Sequence, residues 1–591
     1  MTESLDWFVA VADGDREAHA VRGFLARAPQ RIDHPSGRPW LLGRWADDRL
    51  VRVTERGVQI AVLGVTSVTA SALRGRSLDE IAGLLRGEWH LVAAVDGCLS
   101  VRGMVSGLRR VSYSLIDGVP VAADRDDLLA SDGVDPAVVA VQLLTRGAGQ
   151  LGDVPAWRGV RRVPPDSVLH TRPGGGHRVE RWWTPPAPER SLAEGVPLVR
   201  GALRYAVAAR LAPSMSADLS GGMDSTSICF LLDAYRPGEF VTQVMSAPDA
   251  DFDDVEWAGR AAAYLNSKHQ VLDVGELPSA FGGFDAVWTD LEQPHGWIRN
   301  RWRLQDQAVR MAAAGSVAHF TGAGGDELFR PWVHHLHTLV RTRPWQALRS
   351  VRAYRRFARW PLGQIVRALA DRRSYRANVL DAIAGIGTPE RASGVLDMSW
   401  VAPLHLPPWA TPLAAELAAD QLRSVDEPEP LGRDRAAHTM LEGVRTCAAN
   451  ARLTDRLMRR FGVRTATPFL DDRVVEAVLS VRQSDHAGPV RYKPLLAAAM
   501  RGIVPDDVLG RRTKGEFSSE VHLGLRRNRA AIARLFEDSE LARLGLIDPA
   551  GVRDVLVGVH RDNLGVIALE STLACEVWLR EVATRTARVV R

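Results

Sequence analysis

Lysine is nearly missing from this chain. Of its 75 Lys and Arg residues only three are lysines, Lys268, Lys493 and Lys514. Arginine therefore serves wherever a generic positive charge is enough. A retained ammonium, a compact point charge rather than a planar fork, becomes a candidate for a task that arginine cannot do. Cysteine is scarce as well. Cys98, Cys229, Cys447 and Cys575 lie far apart, with no C-x-x-C pair and no nearby histidine cluster, which argues against a zinc site of that kind and against a disulfide framework. No apolar run is long enough to span a bilayer, and Met1 to Trp7 is acidic and lacks a charged-then-apolar leader, so a cytoplasmic location and no membrane partner are expected. The net charge of +5 over 591 residues is small and is spread along the chain, so no nucleic-acid partner is indicated.

What is present points to two domains, for which the length is ample. Trp7 to Ala12, Trp40 to Trp45, Val51 to Val65, His90 to Val95 and Val111 to Ala123 alternate or run apolar, with Asp96-Gly97 and Asp117-Gly118 as hairpin turns. Leu78 to Leu85 and Asp126 to Ala130 read as helices, giving a layered α+β domain over residues 1–180. Arg181 to Pro188, rich in Trp and Pro, cannot continue either element, so 181–190 reads as a linker. From 191 to 591 the pattern changes. Helix Leu192 to Leu211 leads to strand Met215 to Leu219, then helix, strand Phe240 to Met245, helix Val255 to Leu265, strand His269 to Val274, helix Trp302 to Ala313 and strand Val317 to Thr321. Such alternation predicts an α/β domain with a parallel sheet and ligands at the carboxyl ends of its strands, followed by a largely helical C-terminal part.

Two strand-end loops carry the chemistry. Ser220-Gly221-Gly222-Met223-Asp224-Ser225 closes a short strand and opens a helix, an arrangement that offers backbone N–H groups, hydroxyls and a helix N-terminus to a phosphate or pyrophosphate. It is not the G-x-x-x-x-G-K-[ST] loop, because no lysine follows the glycines and an aspartate stands there instead. The second loop, Thr321 to Phe329, contains Gly324-Gly325-Asp326 after the strand Val317 to Thr321. Asp224 and Asp326 are thereby expected on opposite sides of one Mg²⁺ that also holds the triphosphate of ATP.

Ser220 to Ser225 resembles the S-G-G-x-D-S loop of the N-type ATP pyrophosphatases. Gly322 to Phe329, together with Pro468-Phe469-Leu470-Asp471, resembles the asparagine synthetase family in particular. Leu85 to Leu129 is similar to the later part of that family's glutaminase domain, and Asp455-Arg456 through Asp471 follows its segment leading into P-F-L-D. The resemblance implies a pyrophosphate pocket of Ser220, Gly221, Gly222, Asp224 and Ser225 with Gly324 and Gly325 beside it, and adenine along Val244, Met245 and Ser246. It also implies Lys514, in its R-x-K-x-x-F-like segment, and Lys493 as the catalytic basic residues, with Asp224 and Asp326 on Mg²⁺.

The departures indicate a branch. Residue 2 is Thr2 and no cysteine precedes Cys98, so the N-terminal cysteine of glutamine-hydrolysing members has no counterpart, and the first domain reads as a degenerate glutaminase-like scaffold. Ammonia is then not the expected nucleophile, and the amine comes from the substrate. Two branches work this way, the β-lactam synthetases and the lasso peptide cyclases, or macrolactam synthetases. A glutamate stands four residues before the proline of P-F-L-D in the first branch and in asparagine synthetases, whereas here that position is Arg464. The reading is a lasso-type cyclase acting on a precursor core peptide, served by a leader-peptide-binding protein and a leader protease. A β-lactam synthetase-like or glutamine-independent amide synthetase, and a non-catalytic scaffold, stay open as alternatives. Asp434, His438, Glu442, Asp455 and His295 are candidate proton acceptors by position. Trp288, Trp297 and Trp302 are candidate pocket walls. The arginine-rich stretch from Arg330 to Arg376, with Arg352, Arg355, Arg356 and Arg359 at helical spacing, reads first as a solvated face.

Overall fold

The computed structural model describes residues 6–247, 253–284, 286, 292–330, 332–388, 396–486, 492–511, 518–557 and 564–589. Three sheets organise them, an α+β part with two antiparallel sheets and an α/β part with one parallel sheet, the latter followed by a largely helical region.

The two antiparallel sheets each have six strands. One runs Val160–Val163, Val111–Ile116, Val119–Ala123, Trp7–Ala10, Pro39–Arg44, Gln30–Asp33. The other runs His177–Arg181, Ser167–Thr171, Cys98–Arg102, Gly87–Val95, Val58–Thr66, Leu50–Glu55. Asp96-Gly97 and Asp117-Gly118 have positive φ at both residues (49° and 78°, 52° and 76°), the pattern of a two-residue hairpin whose turn twist matches its strands. Arg56-Gly57 does the same, so the apolar stretch Val51 to Val65 is two strands rather than one. The helix expected over Asp126 to Ala130 is a single 3₁₀ turn, Asp126–Leu128. Pleat alternation sorts each sheet's side chains. Phe8, Trp40, Leu41 and Val111 of one sheet meet Leu63, Val92, Leu99 and Leu169 of the other in a dry layer.

The outer faces of these sheets are covered by the rest of the chain. Val62, Trp89 and Leu91 share a core with Val199, Leu203, Ala217, Phe320 and Phe469 of the α/β region. On the other side, Val9, Leu42 and Val121 pack with Val379, Trp409, Leu569 and Trp578 from the helical part. The stretch after Arg181 is held too, since Trp183 Nε1 donates to Glu476 Oε1 (2.8 Å).

The parallel sheet has the order Lys268–Leu272, Phe240–Met245, Met215–Asp218, Ala318–Phe320, Arg464–Ala466. The chain builds outward one way from the central strand Met215–Asp218 and then returns to its other side. The loops after Met215–Asp218 and Ala318–Phe320 therefore flank a topological switch point, where α/β sheets open a crevice at their carboxyl ends.

Asp471 and Asp472 tie the two regions together. Gly87 N–H and Arg210 Nη1 donate to Asp471 Oδ2 (2.8 and 2.9 Å), and the N–H groups of Val105 and Ser106 donate to the Asp472 carboxylate (3.1 Å each). Burial pushes the Asp472 carboxyl up to about 7, against Arg473 and its two amide donors. The native chain then holds this proton to a higher pH than the unfolded chain does. Its contribution to stability is complete below about pH 4 and is lost as pH rises through about 7. Asp472→Asn is accordingly expected to remove part of the wild-type decline in melting temperature between pH 4 and pH 7.5, measured by calorimetry; parallel profiles for the two proteins would contradict this.

Candidate active site

The central strand ends at Asp218, and the helix Met223–Tyr235 begins five residues later with Gly222 at its N-cap, so the first-turn N–H groups face the switch-point crevice. Between them Ser225 Oγ accepts the N–H of Ser220 (3.1 Å) and lies 2.9 Å from Ser220 Oγ. The turn requires glycine at 221. Its φ is +68°, and a Cβ there would stand 2.5 Å from Trp257 Cβ. Gly221→Ala is expected to lower ATP affinity tenfold or more, measured by calorimetric titration, because the strained turn can relieve itself only by moving the loop.

The second loop is packed against the first. A Cβ on Gly325 would lie 2.5 Å from Asp224 Cγ, so glycine leaves the space that the aspartate occupies. Gly324 caps the short helix Gly325–Phe329 and rests on Phe469 and Leu470 of the P-F-L-D turn. Asp224 and Asp326 converge on one cation. Lys493 Nζ is 2.8 Å from Asp326 Oδ1 and is hydrogen-bonded to Asp224 Oδ2. The Lys493 side chain is 0% exposed. Burial works against its charge, but the two carboxylates outweigh it and hold its pKa above the ordinary lysine value.

That pair of carboxylates, already sharing one cation, fits a Mg²⁺ completed by phosphate oxygens and water. Among the described residues no group of three or more His, Cys, Asp or Glu side chains gathers into a metal site, so the protein alone does not form a cage.

A cavity of about 370 Å³ opens beside the loop. Ser220, Gly222, Asp224 and Ser225 form one wall, Gln243, Val244 and Met245 the second, and Leu304 with Gln307 the third. Gly221, Gly324 and Gly325 support the loops from behind rather than lining the space. Ser246 does not line it either. Its hydroxyl accepts the N–H of Val274 (3.2 Å) and its own N–H donates to Leu272 O (2.9 Å), fastening the neighbouring edge strand. Lys514 lies outside the described residues.

The family model for asparagine synthase matches residues 198–580, well over half of the chain. The chain belongs to the asparagine synthase family. It is therefore an ATP-dependent, amide-forming ligase by family. No curated protein matches it. Among solved structures it is similar to one described as the allosteric regulatory enzyme of purine biosynthesis (11% identity, 47% of this chain and 82% of that one, TM-score 0.20). Another is the glutamine phosphoribosylpyrophosphate amidotransferase from B. subtilis complexed with ADP and GMP (9% identity, 54% and 81%, TM-score 0.20). At that TM-score neither likeness bears on function. Among the described residues no helix is long and apolar enough to cross a membrane.

Within this asparagine synthase family member, two residues beside the cavity were not singled out from the sequence. Arg511 Nη1 donates to Ser220 O (3.1 Å) and Nη2 to Asp253 Oδ1 (2.5 Å) and to Asp254, clamping the phosphate loop to the start of the helix Asp254–Ala262. Nothing in the sequence separates it from dozens of other arginines. Glu327 follows Asp326, and burial first, then Asp326 and Asp224, raise its carboxyl above the ordinary glutamate value. The signal for it was position alone, inside a loop already singled out.

The five candidate proton acceptors take other roles. Asp434 caps a long helix by accepting Ala437 N–H (2.9 Å). His438 and His295 are buried and pushed down to about 4 and about 3 by burial above all. Glu442 accepts Gln150 N–H (3.3 Å), and Asp455 pairs with Arg109 and Arg459 while accepting Thr465 N–H (2.8 Å). None of them lines the cavity. Trp297 and Trp302 do not line it either; Trp302 packs on Gly282 and Gly283, and Trp288 lies outside the described residues. Arg464 donates to Arg210 O (2.5 Å) at the amino end of its strand, so a residue at 464 is not at the cavity and its identity does not decide the branch. Arg352, Arg355, Arg356 and Arg359 are exposed on the helix Pro344–Ala358 and its C-cap.

Proposed function

We propose that this ligase is a lasso-type peptide cyclase. An Asp or Glu side chain of a precursor core peptide attacks the α-phosphorus of ATP, forming an acyl-adenylate and expelling pyrophosphate. The peptide's own N-terminal amine then attacks the acyl carbon, closing an isopeptide ring and releasing AMP. Ser220, Gly222 and Ser225 with the first-turn N–H groups hold the departing pyrophosphate. Val244 and Met245 flank the adenine. Lys493 faces the charge that develops on the phosphates once Asp224 and Asp326 engage Mg²⁺, which neutralises the triphosphate when bound; Lys514 is proposed as the second phosphate-side cation. An α-amino group titrates near pH 8, so part of it is already neutral at cellular pH and a strong base is unnecessary. A leader-binding protein and a leader protease would deliver the peptide, in the cytoplasm.

The observation that carries this reading is the layer of buried ion pairs between the first domain and the synthase region. Glu292 accepts from Arg110 and Arg456 (2.5 Å each) and from Arg452. Arg109 pairs with Glu88 (2.5 Å) and Asp455 (3.2 Å), and Arg210 with Glu88 (3.5 Å). An amine released in the first domain would have to cross this layer, which favours a nucleophile that arrives with the substrate.

Incubating the chain with Mg-ATP and a candidate core peptide, then weighing the product, tests the proposal. AMP and pyrophosphate formed only with peptide, and a product lighter by one water, are the expected result. Turnover of a free β-amino acid, or of aspartate with ammonia, would move the assignment to the small-molecule branch. Full activity of Asp326→Ala would mean that the site is not catalytic.

A further inference from the structure

A smaller cavity, of about 70 Å³, lies between the strand Trp7–Ala10 and the last turns of the helix Arg435–Arg459. It shares no lining residue with the cavity at the phosphate loop. It does share Asp6, Arg49, Val65 and Arg459 with a groove of about 410 Å³ that passes Pro213, Val317 and Arg464, at the amino ends of the parallel strands. Solvent therefore reaches it from the side of the sheet opposite the ATP crevice.

Its walls carry an excess of positive charge. Of nineteen lining residues eight are arginines and four are carboxylates. His90 adds no compensation, since burial and Arg109 push it down to about 3, neutral at physiological pH. Carboxylates behind the wall take up part of the excess. Glu88 pairs with Arg109, Asp126 and Asp153 with Arg110, and Asp127 with Arg125. The inner end is different, because Glu292 is shared by Arg110, Arg452 and Arg456, and for Arg452 it is the one acidic partner among the described residues. Arg452 is 4% exposed and, among the described residues, leaves Nε and Nη2 buried without an acceptor. Burial first, and then Arg110, hold its guanidinium below the ordinary value. Elsewhere on the wall Arg44 makes no ion pair among the described residues and is half-buried. Buried guanidinium N–H groups without acceptors are costly, and a wall that retains them is built for a counter-ion.

We propose that this cavity binds a small inorganic oxyanion of phosphate size, held at its inner end by Arg452 and reached past Arg49 and Arg459 through the groove at the amino ends of the strands. The volume admits roughly five water-sized groups, the heavy-atom count of a tetrahedral oxyanion, and excludes a nucleotide. Guanidinium forks donate in pairs to such an ion, which a row of ammonium groups would not match. The bound ion would fix the C-terminal half of the helix Arg435–Arg459 against the first domain. The same helix backs the catalytic loop further up, where a Cβ on Gly443 would meet Glu327 Cγ at 3.4 Å. The site thus joins the two domains without taking part in the chemistry.

The phosphate loop must be filled before the second site is tested. With the full chain saturated by Mg²⁺ and a non-hydrolysable ATP analogue, inorganic phosphate is titrated by calorimetry in gluconate at constant ionic strength. One saturable site at millimolar phosphate is expected, with a matching rise in melting temperature. Arg452→Met, which leaves Glu292 paired with Arg110 and Arg456, is expected to weaken it at least tenfold. Val65→Phe fills the cavity without changing a charge and is expected to do the same. No saturable site in the wild type overturns the proposal, as does undiminished binding in either folded variant. Chloride binding as tightly as phosphate would make it a halide site and overturn the oxyanion assignment.

Discussion

Lys493→Ala is expected to lower the rate of ATP-dependent amide formation by roughly two to three orders of magnitude, the scale seen when one preorganised donor is taken from developing charge. Its ammonium is fully buried between Asp224 and Asp326, so deletion leaves two carboxylates facing one another with nothing between them. The nucleotide-free protein should melt at a lower temperature and recover on adding Mg²⁺, whereas the wild type should respond less. Lys493→Arg is the sharper test. The chain accepts arginine almost everywhere, yet the space between the two carboxylates is closed around a primary ammonium, and a planar guanidinium is too large to replace it. Its rate should stay within about tenfold of the alanine variant. Amide product formed under saturating Mg-ATP and substrate measures both. A near-wild-type arginine variant would show that only charge is needed there and that the scarcity of lysine carries no functional signal.

The parts of this site that were legible in the sequence are those fixed by local chemistry. A Ser-Gly-Gly turn between an apolar run and a helix reads locally as a strand-end loop, and the observed strands Met215–Asp218 and Phe240–Met245 match the apolar runs closely. The second loop was legible for the same reason. What brings the two loops into contact is the strand order, and no local pattern states that. The fifth strand, Arg464–Ala466, is three residues long and mostly polar in sequence, and it was missed because burial comes entirely from its neighbours. The strands Gln30–Asp33 and His177–Arg181 are edge strands rich in polar residues and escaped notice for a related reason. Ser246 was expected on the adenine because the family resemblance implied backbone contacts along that strand, but its N–H and hydroxyl are taken up by the next strand's backbone instead. Arg464 shows the limit of reading by motif spacing. Four residues before a proline specify a register, and only the strand's direction tells whether that register points at the ligand or away from it.

Glu292→Gln should have the largest effect on stability. Its carboxylate is fully buried and accepts from three guanidinium groups, so neutralising it leaves Arg110, Arg452 and Arg456 crowded together without the carboxylate they share, in the buried wall between the two regions. Breaking a buried pair in this way typically costs about 3–5 kcal/mol, and here the loss falls on the contact between two regions of one chain. Calorimetry should show a lower first transition, and the double change Glu292→Met with Arg452→Met should recover part of it, since removing an unpaired cation relieves the strain that the first substitution creates. The effect should not depend on pH between 6 and 8. Burial alone would raise the Glu292 carboxyl, but Arg452, Arg110 and Arg456 outweigh it and hold it well below the usual range. Its stabilising contribution is complete above the unfolded value of about 4 and fades only as pH falls through the depressed native value. Unchanged melting in Glu292→Gln would mean that the ion-pair layer is not what joins the two regions. The inference that the amine arrives with the substrate would then lose its main support.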